Sequence, residues 1–161
     1  MQVTENRLKW IMRFFPPLFF QRIWTVQFEK DFRGVEVQIK KSIWNRNYNN
    51  SIFGGTIISA ADAFYPVLFF KIFTGKGYPI RAWSKSCEIK YLKPGYFNLY
   101  FKIHIDEAEI KEAEETLNTV GKYTKLHPIE IYDKNGLNVA SVMIEVYMRN
   151  LNFLDDASDN K

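Results

Sequence analysis

The chain has 161 residues, 47% of them hydrophobic and 25% charged, which describes one globular domain able to bury roughly 70% of its unfolded surface. One cysteine, Cys87, and two histidines, His104 and His127, exclude an internal disulfide framework and the usual structural zinc sites. A net charge of +4 from 22 basic and 18 acidic residues is too mild and too evenly spread to indicate nucleic acid. By contrast, 17% aromatic residues require a thick core, a large apolar pocket or a buried interface. The single cysteine fits a reducing compartment, and a cytoplasmic location is the expectation.

Trp10 to Phe20 is apolar but is interrupted by Arg13 and by Pro16-Pro17. It falls short of the ~20 residues that a spanning helix needs. Gln21-Arg22-Ile23-Trp24 offers no small-residue cleavage site, so neither a secretory signal nor a transmembrane segment is expected. The main expectation is a short helix ended by Pro16-Pro17, packed on the domain within an N-terminal helical extension over residues 1–33. A membrane-surface anchor is the other reading, since Arg13, Arg22 and several Phe could lie at an interface.

Gly34 to Ser42 alternates Val35, Val37 and Ile39 with Glu36, Gln38 and Lys40, the period of a half-buried strand. A polar loop over 45–51 follows. Gly54-Gly55 then opens an apolar stretch, Thr56 to Phe73, which reads as a buried helix about 27 Å long, closed by Gly75 and Gly77. Pro66 lacks the N–H that would bond the Asp62 carbonyl, so the helix should kink or loosen there.

Strands are expected over 87–92 and 97–105, with a turn at Lys93-Pro94-Gly95. Asp106 with Glu109 resembles a capping box and opens an acidic helix that runs to Val120 and closes at Gly121. Two further strands, near 125–132 and 139–148, flank the Asp133-Lys134-Asn135-Gly136 hairpin signal. A polar tail over 155–161 is expected to be disordered, leaving one domain over 1–154. Cys87 reads as a small core residue, and both histidines read as structural.

Asn47 to Asp62 (NYNNSIFGGTIISAAD), Tyr91-Leu92-Lys93-Pro94 and the Asp133-x-x-Gly136 hairpin together resemble the hotdog-fold acyl-CoA thioesterases. The likeness is to the branch of the phenylacetate-pathway enzymes and a related, poorly characterised hotdog group. It covers about Val35 to Arg149. It implies an α+β domain in which an antiparallel sheet wraps a long central helix, here with an extra N-terminal helix. It also implies a homodimer or dimer of dimers, an acyl-CoA or acyl-carrier thioester as substrate, and no cofactor beyond the coenzyme A of the substrate.

The residues allow a matching chemistry. A helix's first turn carries unpaired N–H groups and partial positive charge, and Gly54-Gly55 would let a ligand approach it closely. A thioester oxyanion could be stabilised at the Gly55 N–H; a tight turn into the helix is the plainer reading. Asp62 is the only carboxylate between Glu36 and Glu88. With Thr56 and Ser59 it forms a polar stripe that could simply be the helix's wet side. The resemblance gives Asp62, seven residues after Gly55, the role of general base or nucleophile. It also makes Asn47 an orienting residue and places Gly54, Phe53 and Ser59 against the substrate. Many relatives have His where Phe53 stands. Lys90 and Lys93, with Arg81 and Lys85, could meet coenzyme A phosphates or be merely solvated.

Gly55 and Asp62 share a helix face but lie about 10 Å apart along it. Both cannot touch one carbonyl carbon, so two antiparallel helices across a two-fold axis are expected to complete each site. A non-catalytic acyl-binding or assembly protein is the principal alternative. No Gly-x-Ser-x-Gly elbow, phosphate loop, dinucleotide fingerprint or RNA-recognition signature occurs.

Overall fold

A computed structural model describes residues 3–153. The expected tail over 155–161 lies outside the described residues. Helix α1 (Glu5–Phe14) is capped by Thr4, whose Oγ1 accepts the Arg7 N–H at 3.3 Å. Its Leu8 and Met12, four residues apart, face the core. The helix stops at Phe15, whose extended backbone suits a residue before proline. Pro16 then begins a second short helix, α2 (Pro16–Phe20), where its missing N–H costs nothing. The proline pair therefore both ends one helix and starts another.

The expected all-helical extension over 1–33 is corrected further along. Ile23–Phe28 is a strand, β1, paired antiparallel with β2 (Gly34–Ile39). Its aromatic and β-branched residues suit a pleated, half-buried surface.

Six antiparallel strands form one sheet in the order β1-β2-β4-β5-β6-β3. The others are β3 (Ile80–Tyr91), β4 (Leu99–His104), β5 (Lys122–Asp133) and β6 (Asn138–Asn150). β3 begins seven residues before the expected Cys87 and stands at the edge, hydrogen-bonded on one side to β6 alone. Cys87 is exposed there, which corrects its reading as a core residue.

The central helix divides into α3 (Gly54–Asp62) and α4 (Tyr65–Gly75). Pro66 at the head of α4 cannot donate to the Asp62 carbonyl, and the Ser84 hydroxyl of β3 donates to it instead at 3.2 Å. Gly54–Gly75 is long and apolar enough to cross a membrane by composition, yet more than half of it is buried within the domain, as in a core helix. Phe64, Phe69 and Phe73 are fully buried.

β4 and β5 register only at Leu99–Asp133 and Tyr100–Tyr132. β4 then leads into α5 (Glu107–Thr119), which buries Ile110, Ala113 and Leu117. The Asp106 carboxylate caps it by accepting the Glu109 N–H at 2.8 Å. Glu109 does not complete the box: its Oε1 lies 3.0 Å from Nδ1 of buried His127, whose ring stacks on Tyr65 at 4.5 Å. His127 is thus a core residue, and His104 pairs with Glu29 at 2.7 Å on the polar face of β4. A cavity of about 750 Å³ opens among β1, β2, β4 and β5, lined by Val37, Phe101 and Pro128 among others. A second, of about 520 Å³, lies where α1 begins and α4 ends.

At the β5–β6 turn, Asp133 Oδ1 accepts the N–H groups of Asn135 and Leu137 at 2.8 and 3.0 Å. Gly136 takes the positive φ of +77° that completes the turn.

Candidate active site

The loop before α3 is shaped by its asparagines. Asn45 is buried, donating Nδ2 to the carbonyls of Gln21 and Lys40 at 2.8 and 2.9 Å. Its own carbonyl accepts the Phe53 N–H at 2.7 Å, which fixes the entry to α3. Asn47 Oδ1 accepts the N–H groups of Asn49 and Ser51 and the Ser51 hydroxyl, at 3.0, 3.1 and 3.1 Å. The Asn47 oxygen is therefore committed to its own loop, and only the amide nitrogen is left to meet a ligand.

At the head of α3, Thr56 N–H bonds the Phe53 carbonyl at 3.0 Å. Among the described residues the Gly54 and Gly55 N–H groups have no such partner, so the helix presents unpaired donors at its positive end. Both glycines lie close under an aromatic side chain. A Cβ on Gly54 would stand 2.7 Å from the Tyr91 hydroxyl, and one on Gly55 would stand 2.4 Å from the Phe53 ring. Phe53 thus lies over Gly55 while remaining exposed to solvent. Ser59 Oγ donates to the Gly55 carbonyl at 2.9 Å, a bond within the helix.

Asp62, at the other end of α3, is exposed, so its carboxylate is solvated in the protomer. β3 runs beside it. Partial burial, and then the Asp62 charge, push the Cys87 thiol up from its usual pKa. Burial, and then Cys87, do the same to the Tyr91 phenol. Tyr91 at Gly54 and Ser84 at the Asp62 carbonyl show that α3 lies along β3 from end to end. Lys90 and Lys93 are exposed near Tyr91, while Lys85 stands 3.8 Å from Glu145.

The structure brings Gly54, Gly55, Ser59 and Asp62 onto one short helix, with Phe53 at its N-cap, and Lys90 lies on the strand beside it. Asn47 points its oxygen elsewhere. Ser84 was not singled out as a site residue in the sequence, although the missing Pro66 N–H signals that some donor must reach the Asp62 carbonyl. Tyr91 sits in the Tyr-Leu-Lys-Pro motif, but its closeness to Gly54 has no local signal.

An antiparallel sheet in this order around a central helix defines a hotdog domain. The chain belongs to the family described as domain of unknown function DUF4442, whose model matches residues 5–148. A Pseudomonas aeruginosa protein of unknown function, described as a probable thioesterase, has a similar structure. It aligns with TM-score 0.78 and 14% identity over 91% of this chain and 97% of that one. The E. coli PaaI protein, from the phenylacetic acid degradation operon, aligns with TM-score 0.61 and 17% identity over 91% and 92%. A Streptococcus mutans protein bound to acetyl CoA aligns with TM-score 0.57 and 18% identity over 81% and 91%. No curated protein matches the sequence.

Proposed function

We propose that this protein hydrolyses acyl thioesters of the acyl-CoA class at sites shared between two copies of the chain. The observation that carries this reading is α3 itself: unpaired Gly54 and Gly55 N–H groups at its head, and exposed Asp62 seven residues on. The thioester carbonyl oxygen would sit against the Gly55 N–H, which stabilises the developing oxyanion. Asp62 of the other copy would take the proton from the attacking water, or attack the carbonyl directly. The edge strand β3, twelve residues long and open on one side, supports self-association, because a long unpaired edge is a ready template for pairing. The acetyl CoA held by the Streptococcus mutans protein supports the ligand class. Lys90 and Lys93, both exposed, would be the groups to meet its phosphates.

Free-thiol release from a panel of acyl-CoAs tests this. Asp62→Asn preserves volume and should keep the fold, while turnover should fall ~10²-fold or more. Light scattering should give a mass of at least two chains. Equal hydrolysis by the two proteins would remove Asp62 from the chemistry.

One observation favours a non-catalytic acyl-binding role: the apolar Phe53 ring covers Gly55, at the position where the family resemblance would put a polar His. Phe53→His should then raise the rate on at least one aromatic or medium-chain acyl-CoA. A parent inert on every thioester, and no faster as Phe53→His, would favour the binding role.

A further inference from the structure

The N-terminal region presents a second surface that the α3 site does not use. α1 leaves Trp10, Ile11 and Phe14 outside, and Phe15, Phe20 and Trp44 extend the patch; Phe14 is 61% and Trp44 69% exposed. The rings follow one another across the surface. Centroid separations are 6.0 Å for Trp10–Phe14, 6.0 Å for Phe14–Phe19, 5.5 Å for Phe19–Phe20 and 6.4 Å for Phe20–Trp44. Contiguous apolar patches of this kind mark a docking surface, because isolated soluble domains keep them small.

The segments that build the patch are cationic but for Glu5 at the head of α1. Residues 6–28 and 37–61 contain no Asp or Glu, yet they carry Arg7, Lys9, Arg13, Arg22, Lys40, Lys41 and Arg46. The chain as a whole is nearly balanced, so this is a local asymmetry. Lys9 and Arg13 lie over the Trp10 ring at 5.6 and 4.6 Å, and Lys40 lies over Trp24 at 4.5 Å. Aromatic rings with cations at their margin match the headgroup layer of an anionic bilayer, where the rings enter the interface and the cations meet lipid phosphates.

Other occupants fit less well. A second copy docked across a two-fold axis would set this cationic face against itself. A single-stranded nucleic acid would need free ring faces to stack on, but Trp10–Phe14 and Phe14–Phe19 already stack on each other. We propose that this face binds the surface of an anionic phospholipid bilayer. Phe20–Trp44 and the bond from Asn45 to the Gln21 carbonyl join it to the loop that enters α3. The docking does not depend on thioester hydrolysis.

Flotation with vesicles of phosphatidylcholine, with and without phosphatidylglycerol, tests the proposal. The protein should bind the anionic vesicles at low salt with a blue shift of tryptophan emission, and should release as ionic strength rises. Phe14→Ser with Phe20→Ser should lower partitioning at least ~10-fold, and Lys9→Gln with Lys40→Gln about 25-fold at low salt. Unchanged thermal melts would establish that both double variants remain folded. Four results would overturn the proposal. They are failure of the folded wild type to bind anionic vesicles at low salt, binding that the Phe pair leaves unchanged, capture of single-stranded RNA in place of vesicles, or a scattering mass that halves in the Phe variant, which would assign the face to a second copy.

Discussion

α4 packs Leu68, Phe69 and Phe73 fully inside the domain, and Phe69 alone meets Tyr65, Phe73, Tyr123 and His127 within 6.5 Å between ring centroids. α3, two residues upstream on the same apolar run, buries only Thr56, Ile57, Ala60 and Ala61. It leaves Asp62 exposed and both glycines partly so. Side-chain volume separates the two. Bulky rings fix α4 in the core, while small residues let α3 lie close under β3 with an approachable face. The Pro66 break is what allows one chain segment to do both.

The largest expected effect breaks the anchored half. Phe69→Ala removes a ring from the most crowded part of the core and should cost about 3–5 kcal/mol of stability, read from urea midpoints. The activity of the molecules that remain folded should be little changed. Asp62→Asn should show the reverse, with stability within about 0.5 kcal/mol of wild type.

Ser84→Ala acts at the junction. It removes the protein donor to the Asp62 carbonyl, and because this neutral hydrogen bond is exposed and water can replace it, the cost should be about 0.5 kcal/mol. If the break positions Asp62, thioester turnover should fall with it, and Ser84→Thr should restore both. A loss of stability with unchanged turnover would confine Ser84 to the fold.

The smallest effect lies away from both helices. Glu29 is held below its usual value of 4.5, first by its hydrogen bond from Lys102 and then by His104, against the opposing effect of partial burial. A carboxylate depressed in the folded state contributes stability that is present above its unfolded pKa and is lost as pH falls through the folded one. The melting temperature should therefore decline below about pH 4.5 slightly more in wild type than in Glu29→Gln. Surface exposure keeps the difference small, and added salt should shrink it.

The strands that were hidden in the sequence share a physical cause. β1 turns Ile23 and Thr25 inward and then Phe28, with a bulge between Thr25 and Gln27. β3 turns Ile80 and Ala82 inward and then Ile89, with a bulge between Ser84 and Ser86. A bulge shifts the side-chain period by one, so alternation cannot be followed through it, and only the part of β3 after the bulge was legible. β2, the Asp106-capped helix and the Asp133–Gly136 turn carry uninterrupted local signals and were legible. In the site, the helix, its glycine pair and the Pro66 defect could be read locally. The contacts of Tyr91 and Ser84 with α3 join residues more than twenty positions apart, and no short pattern encodes them.

The pairing of β4 with β5 at Leu99–Asp133 and Tyr100–Tyr132 alone has a mechanical meaning. The sheet is two plates, β1-β2-β4 and β5-β6-β3, joined by a short seam and bridged at its wide end by α5. Parting the plates breaks fewer strand pairings than any other division of the sheet, so this seam is the weakest line in its backbone ladder. The α3 face lies against β3 on the outer plate, while α1 and α2 pack through Leu8, Met12 and Leu18 near β1 at the far edge of the other, with their aromatic face turned outward. Strain passed between the two surfaces can cross that seam, the packing of Phe64 on Phe101 of β4, or the loop that carries Trp44 and Asn45.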